Sequence, residues 1–326
     1  MLQKIVFSLG ILICLAFSIS FVSLSCDDSP TTVDNPGGND TEKVSWAAAF
    51  QLVLRKEVDS AQEIFDSSAN IVGDGAESMV AKDESWETVM TDGDCKLLAP
   101  PNYFCEPSCS SGFKCTKDGC VAIPKKPKRV DLGKITVSGV KTVDGISSFL
   151  LGDASPYSQV EELAYPPFQE GDEVTFSGAG TSEVNPFVIK AKGIGPLILH
   201  NDSIPCVDGQ PITLEWDPPK QQGNSFIELE IDVSYHSITK ARIVGKTADD
   251  GSITIKGEIL DKLKSYGVAG FPRLKIFRKA TFTNESKNAQ LTIESQVIKY
   301  LQIPGLISCN GKCPDGMTCG VDRLCH

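Results

Sequence analysis

Ile227-Glu-Leu-Glu-Ile-Asp-Val233 places an apolar residue at every second position and a carboxylate between each pair. Successive side chains of an extended chain point to opposite faces, so Ile227, Leu229, Ile231 and Val233 share one face and Glu228, Glu230 and Asp232 share the other. The stretch therefore reads as a strand with one dry and one wet face. The same period of two recurs outward from it. Ile212-Thr-Leu-Glu-Trp216 and Phe187-Val-Ile-Lys190 repeat it towards the N-terminus, as do Glu173-Val-Thr-Phe-Ser177 and Lys134-Ile-Thr-Val-Ser138. Ser252-Ile-Thr-Ile255, Leu274-Lys-Ile-Phe277 and Leu291-Thr-Ile-Glu294 repeat it towards the C-terminus.

Eight strands divided by Gly, Pro, Asn and Asp predict an immunoglobulin-like or fibronectin-like β-sandwich over residues 130–305. Leu214, Trp216, Leu229 and Ile231 are the expected core, and Asp217-Pro-Pro219 ends the strand before it. One helix is expected, Glu258 to Tyr266, with Ile259, Leu260 and Leu263 on one face and Gly267 as its stop. Residues 45–94 fit either period. Phe50, Leu52 and Leu54 alternate, whereas Trp46, Phe50, Val53, Val58, Ala61 and Ile64 could line a helix. The strand reading is adopted, with Asn70 to Gly75 and Trp86 to Met90 as further strands.

Cysteines bracket this middle. Cys105, Cys109, Cys115 and Cys120 follow C-x3-C-x5-C-x4-C, and Cys309, Cys313, Cys319 and Cys325 repeat it with one more residue in the last gap. Each copy has a glycine three residues before its third cysteine, Gly112 and Gly316, as a tight turn requires. Residues 95–123 and 306–326 carry too few apolar side chains to cohere by burial, so disulfides are expected to hold them. Structural zinc would favour C-x2-C pairs or histidines added at ligand spacing, and neither pattern occurs in the tetrads. Two tetrads leave Cys95 and Cys206 over, as a further bond or, for Cys206, a reactive thiol. Pro124-Lys-Lys-Pro-Lys-Arg129 reads as an extended linker, with a polybasic site for anionic lipid or polysaccharide as the sharper alternative.

The chain opens with Lys4, an uncharged apolar run and Ser23-Leu-Ser-Cys26. Residues 1–25 read as an export signal. An ordinary peptidase would accept Ser23 and Ser25, whereas a lipobox cut would lipidate Cys26, although Ser23 replaces the usual leucine. An uncleaved membrane anchor is the remaining alternative. Of twelve cysteines, Cys14 leaves with the signal, and lipidation of Cys26 leaves an even number to pair. Residues 26–44, rich in acid, proline and glycine, read as a solvated tether. The formal charge of −11 argues against a nucleic-acid partner.

Candidate chemistry is sparse. His200, His236 and His326 stand in no motif, and neither G-x-S-x-G, H-E-x-x-H, a Walker loop nor a dinucleotide fingerprint occurs in the sequence. Asp249-Asp-Gly-Ser252 lacks the spacing of a calcium loop and reads as a hairpin turn. Glu228, Glu230 and Asp232 could serve a carbohydrate-processing site if a second carboxylate faced them across a cleft. Their default role is a wet sheet face. Asn39, Asn201 and Asn284 begin glycosylation sequons. No catalytic residue, metal or cofactor is expected.

Cys95-Lys-Leu-Leu-Ala-Pro-Pro, Phe104-Cys-Glu-Pro-Ser-Cys-Ser-Ser-Gly and Gly133-Lys-Ile-Thr-Val-Ser-Gly139 resemble bacterial envelope lipoproteins that carry a short cysteine module before a β-sandwich. Trp216-Asp-Pro-Pro and Asp249-Asp-Gly-Ser-Ile-Thr-Ile255 fit the same pattern. The cysteine module is similar to the Dickkopf N-terminal type. By that analogy each tetrad pairs first with third and second with fourth, leaving Cys95 to Cys206. The resemblance carries no activity. It implies a membrane-anchored, extracytoplasmic, non-enzymatic binding, adhesion or structural module with a protein or glycan ligand. The alternative is a carbohydrate-binding or carbohydrate-processing envelope protein.

Overall fold

The computed structural model describes residues 46–58, 65–76, 86–101, 103–123, 129–152, 157–221, 223–235, 239–309 and 312–326. The signal, Cys26, the tether with Asn39, His236 and most of the basic linker lie outside them. The strands are β1 (Ala47–Val58), β2 (Phe65–Ala76), β3 (Glu87–Asp92), β4 (Cys95–Ala99), β5 (Phe113–Thr116) and β6 (Gly119–Ala122). They continue with β7 (Ile135–Ser138), β8 (Ser148–Gly152), β9 (Tyr157–Gln159), β10 (Glu173–Gly178), β11 (Phe187–Lys192) and β12 (Ile204–Pro205). After β13 (Ile212–Glu215), β14 (Phe226–Asp232), β15 (Arg242–Ala248) and β16 (Ser252–Ile255) comes the helix α1 (Gly257–Lys264), then β17 (Arg273–Thr283) and β18 (Ala289–Gln302). All eight expected strands form, and Ala47–Val58, Phe65–Ala76 and Glu87–Asp92 are strands as well.

The fold is mainly β with one short helix. Its frame is one sheet in the order β11-β10-β7-β8-β9-β2-β1-β18-β17-β14-β15-β4-β3, with β12 beside β18. β17 and β18 form a long antiparallel hairpin running from Arg273 opposite Tyr300 to Thr283 opposite Gln290. β1 lies parallel to β18, Phe50 opposite Leu291 and Leu52 opposite Ile293. Both free edges are protected against pairing with another chain: β11 carries exposed Lys190 and Lys192, and β3 a bulge between Thr88 and Met90.

Two apolar cores sit on the same face of this sheet. Trp46, just before β1, and Phe50, Leu52 and Leu54 of β1 meet Phe176 of β10 and Phe187 of β11 in the first. Ring centroids of Trp46 and Phe187 are 5.3 Å apart, and those of Phe50 and Phe176 5.5 Å, so the sheet folds back across its own core. The second core gathers Leu97, Leu229, Ile231, Ile243, Leu274 and Ile276 with Leu214 and Ile253 of the β13–β16 pair, with Trp216 next to it and with α1. Ile259, Leu260 and Leu263 of α1 are buried as expected, and the helix ends at Lys264, short of Tyr266. Gly267, at φ 103°, closes the turn that follows.

This arrangement runs across the boundaries read from sequence: strands from residues 45–94, 95–123 and 130–305 pair within one sheet. β1 and β2 are central strands of the first core, and Cys95–Ala99 is a strand beside β15 rather than part of the cysteine module. The reason is pairing at long range. Alternation marks a strand but carries no information about which distant strand completes its hydrogen bonds.

Both cysteine modules are closed by disulfides. Cys105 bonds to Cys115 and Cys109 to Cys120, across the β5–β6 hairpin that sets Cys115 opposite Cys120. Cys309 bonds to Cys319 and Cys313 to Cys325. The second module docks on the sheet end, where Gly270 N–H donates to the Asp322 carbonyl at 2.6 Å.

Candidate functional site

The wet face read from Ile227 to Val233 is the richest cluster of charge on the described sheet. β14 buries Ile227, Leu229 and Ile231 and turns Glu228 and Glu230 outward between β15 and β17. Glu228 lies 2.8 Å from Lys279 Nζ and 3.7 Å from Lys246 Nζ. Glu230 lies 3.3 Å from Arg242 Nη1 and 3.5 Å from Lys275 Nζ. Each carboxylate is thus bridged by cations from both neighbouring strands, and Glu294 of β18 adds a contact of 3.5 Å to Lys279. Cross-strand pairs of this kind stabilise a sheet by about 0.2–1 kcal/mol each.

Aromatic rings alternate with the cations. Lys246 Nζ sits 3.9 Å from the Phe226 centroid, Lys279 Nζ 4.6 Å from that of Phe277, and the Arg242 guanidinium 4.5 Å from that of Trp86. Asp232 departs from its expected place on the open face. It is buried and accepts hydrogen bonds from Ser234 N–H at 2.8 Å, Ser234 Oγ at 2.9 Å and Thr239 Oγ1 at 3.0 Å. Glu228 and Glu230 stand two residues apart on one strand rather than on opposing walls of a cleft, so they do not form the acid and nucleophile pair of a glycosidase.

A second polar cluster went unseen in the sequence. Arg278, 2% exposed, points to the core side of β17 and holds Asp249 through Nε at 2.7 Å and Nη2 at 3.1 Å. Its Nη1 donates to the Pro196 carbonyl at 3.2 Å, and Nη2 also donates to the Asp217 carbonyl. Asp249 in turn accepts from Trp216 Nε1 at 2.9 Å and Ser225 Oγ at 2.6 Å. Ser295, opposite Arg278 in register, accepts from Leu197 N–H at 2.8 Å. These groups lie where the two cores meet. Leu274 and Ile276 precede Arg278 in one core and Ala280 follows in the other.

A signal for this seam was present. Arg278 and Ser295 occupy apolar-parity positions in Leu274-Ile276-Arg278-Ala280 and Leu291-Ile293-Ser295-Val297. Asp249 is therefore neither a calcium ligand nor the tip of a hairpin. β15 pairs with β14 and β4, β16 pairs with β13, and Asp249-Asp-Gly251 is the corner between them, with Gly251 at φ 110°.

The remaining candidates are held in local structure. His200 Nε2 is 2.7 Å from Asp217 Oδ1 at a half-exposed position. His326 Nε2 is 2.9 Å from Asp322 Oδ2, and that contact holds the Asp322 carboxyl below the ordinary carboxylate range. Asn201 donates to the Thr213 carbonyl and accepts from Glu215 N–H, while Asn284 is buried and accepts from Ala289 N–H. Both sequon side chains are thus hydrogen-bonded within the fold.

The expected Cys95–Cys206 bond is absent, and both are buried thiols. Cys95 is opposite Gly245 of β15, where a Cβ would stand 3.2 Å from its Sγ, so the thiol fills the room of the missing side chain. Cys206 is tied to β18 by its N–H to the Gln302 carbonyl and lies near Lys264 of α1. Each behaves as a small apolar residue. Burial, then Asp94 and Asp92, push the Cys95 thiol up to about 11, and burial raises Cys206. Alkylation at neutral pH should therefore modify neither thiol in the native, unreduced protein and both after denaturation. Finding none after denaturation would restore the bond.

No family model and no curated protein matches the chain. Among solved structures, the crystal structure of the FN1–FN3 domains of chicken CNTN1 is similar at 10% identity over 72% of this chain and 68% of that one, with a TM-score of 0.18.

Proposed function

We propose that the chain is an extracytoplasmic, lipid-anchored module of a bacterial cell envelope that binds or supports rather than catalyses. The observation that carries the reading is the set of four disulfides closing the two small modules. Such bonds persist in oxidising compartments and hold segments that cannot cohere by burial. The export signal and Ser23-Leu-Ser-Cys26 supply the anchor, with Cys26 as the acylated residue. The resemblance to envelope lipoproteins with Dickkopf-type cysteine modules agrees with that placement. The non-catalytic part of the reading rests on the engagement of the carboxylates: Glu228 and Glu230 are each held by two cations, and Asp249 is locked to Arg278 inside the fold.

Metabolic labelling with palmitate tests the anchor. The wild type should take up label, and Cys26→Ala should lose it while remaining in the envelope fraction or the periplasm. Label that persists in Cys26→Ala overturns the assignment.

A further inference from the structure

We propose that each cysteine tetrad is a redox-gated site for a thiophilic metal ion such as zinc, closed by its disulfides when oxidised and by a four-thiolate metal centre when reduced. The inference goes beyond the reading of the chain as a binding module and does not depend on it. Each tetrad converges in space. The sulfurs of Cys105, Cys109 and Cys120 lie within 4.8 Å of one another, and so do those of Cys309, Cys313 and Cys325. Each trio holds both sulfurs of one bond and one of the other, so the remaining partners, Cys115 and Cys319, supply the fourth ligands. Tetrahedral zinc with bonds of about 2.3 Å sets its sulfurs about 3.8 Å apart, so the non-bonded sulfurs of each trio have to close by roughly 1 Å at most. The C-x3-C spacing that argues against zinc in the sequence is thereby offset, because the fold of the whole module gathers the sulfurs.

The chemistry balances with a dithiol as reductant. Its thiolate attacks a disulfide sulfur, two electrons and two protons enter each bond, and the dithiol leaves as its own disulfide. Two equivalents therefore turn one tetrad into four thiols. A divalent ion then displaces four protons and takes the four thiolates as ligands, a donor set that selects soft ions over calcium or magnesium. Removal of four electrons re-forms the two bonds and expels the ion. Access favours the tetrads over the other thiols: Cys120 and Cys319 are exposed, whereas Cys95 and Cys206 are buried. The modules also need a closure, since they hold too few apolar side chains to cohere without one, and metal binding restores what reduction removes.

The test uses the full-length protein in neutral detergent, reduced with a phosphine, freed of it by gel filtration without air, and titrated with cobalt(II) and then zinc(II). Cobalt should give the intense visible absorption of a tetrahedral thiolate site, with one ion per module, and zinc should displace it. The disulfide form should retain neither ion. Cys109→Ala/Cys120→Ala should lose the ion of the first module and keep that of the second, and Cys313→Ala/Cys325→Ala should do the reverse. Cys95→Ala/Cys206→Ala, checked for native circular dichroism, should bind as much metal as the wild type. The proposal is overturned if the reduced protein retains no cobalt, if the tetrad variants retain as much as the wild type, or if the Cys95/Cys206 variant loses it. In each of those outcomes the metal site falls while the four disulfides and the anchored module stand.

Discussion

Arg278→Ala is expected to destabilise the protein by about 3–5 kcal/mol, as removal of one partner from a buried ion pair does. The size follows from what is left behind. Asp249, 2% exposed at its side chain, would keep its charge with only Trp216 Nε1 and Ser225 Oγ as donors among the contacts described here. The Pro196 and Asp217 carbonyls would lose their donor, and each buried group left unsatisfied costs about 1–3 kcal/mol. Asp249→Ala should cost a similar amount, because it strands the guanidinium. The double variant should cost clearly less than the sum of the two, since the charges remove each other's need for a partner. Urea denaturation of the four proteins measures all three quantities. A loss below about 1 kcal/mol for Arg278→Ala would mean that water reaches the seam and that the two cores are not joined through it.

A fragment comprising residues 130–304 should show no cooperative unfolding transition at 25 °C. Read as a strand pattern alone, this stretch looks self-sufficient. In the fold it lacks β1, which supplies Phe50, Leu52 and Leu54 to the first core, and β4, which supplies Leu97 to the second. Full burial of each such side chain contributes about 1.5–3 kcal/mol. Four of them together are comparable with the whole stability of an ordinary domain, about 5–15 kcal/mol. Removing β1 also exposes the backbone edge of β18, which pairs with it from Ala289 to Ile298. Restoring residues 46–129 to the fragment should restore the transition. A cooperative transition in the 130–304 fragment well above room temperature would show that β1 and β4 are accessory, and the sheet order described above would then be wrong.

The sequence by itself determined eight strands of the middle, most of their dry positions and the helix. The period of two through Ile227 to Val233 is a local property, because neighbouring side chains of an extended chain must point oppositely whatever the strand pairs with. Leu214, Trp216, Leu229 and Ile231 were legible as core for that reason, and all four are buried. The repeated cysteine spacing was equally local, since the residues each bond joins lie only ten to twelve positions apart. The tertiary structure alone decided which strands are neighbours. β1 pairs with β18 across more than two hundred residues, and nothing in either pattern prefers that partner to another strand of similar period. It also decided the fate of the polar residues. Glu228 and Glu230 became bridged carboxylates only when β15 and β17 brought lysines and an arginine alongside. Asp249 became the partner of Arg278 only when a corner between two sheets met the junction of two cores. A charge is placed by its neighbours in space, and a strand chooses those neighbours through hydrogen bonds that its own sequence does not specify.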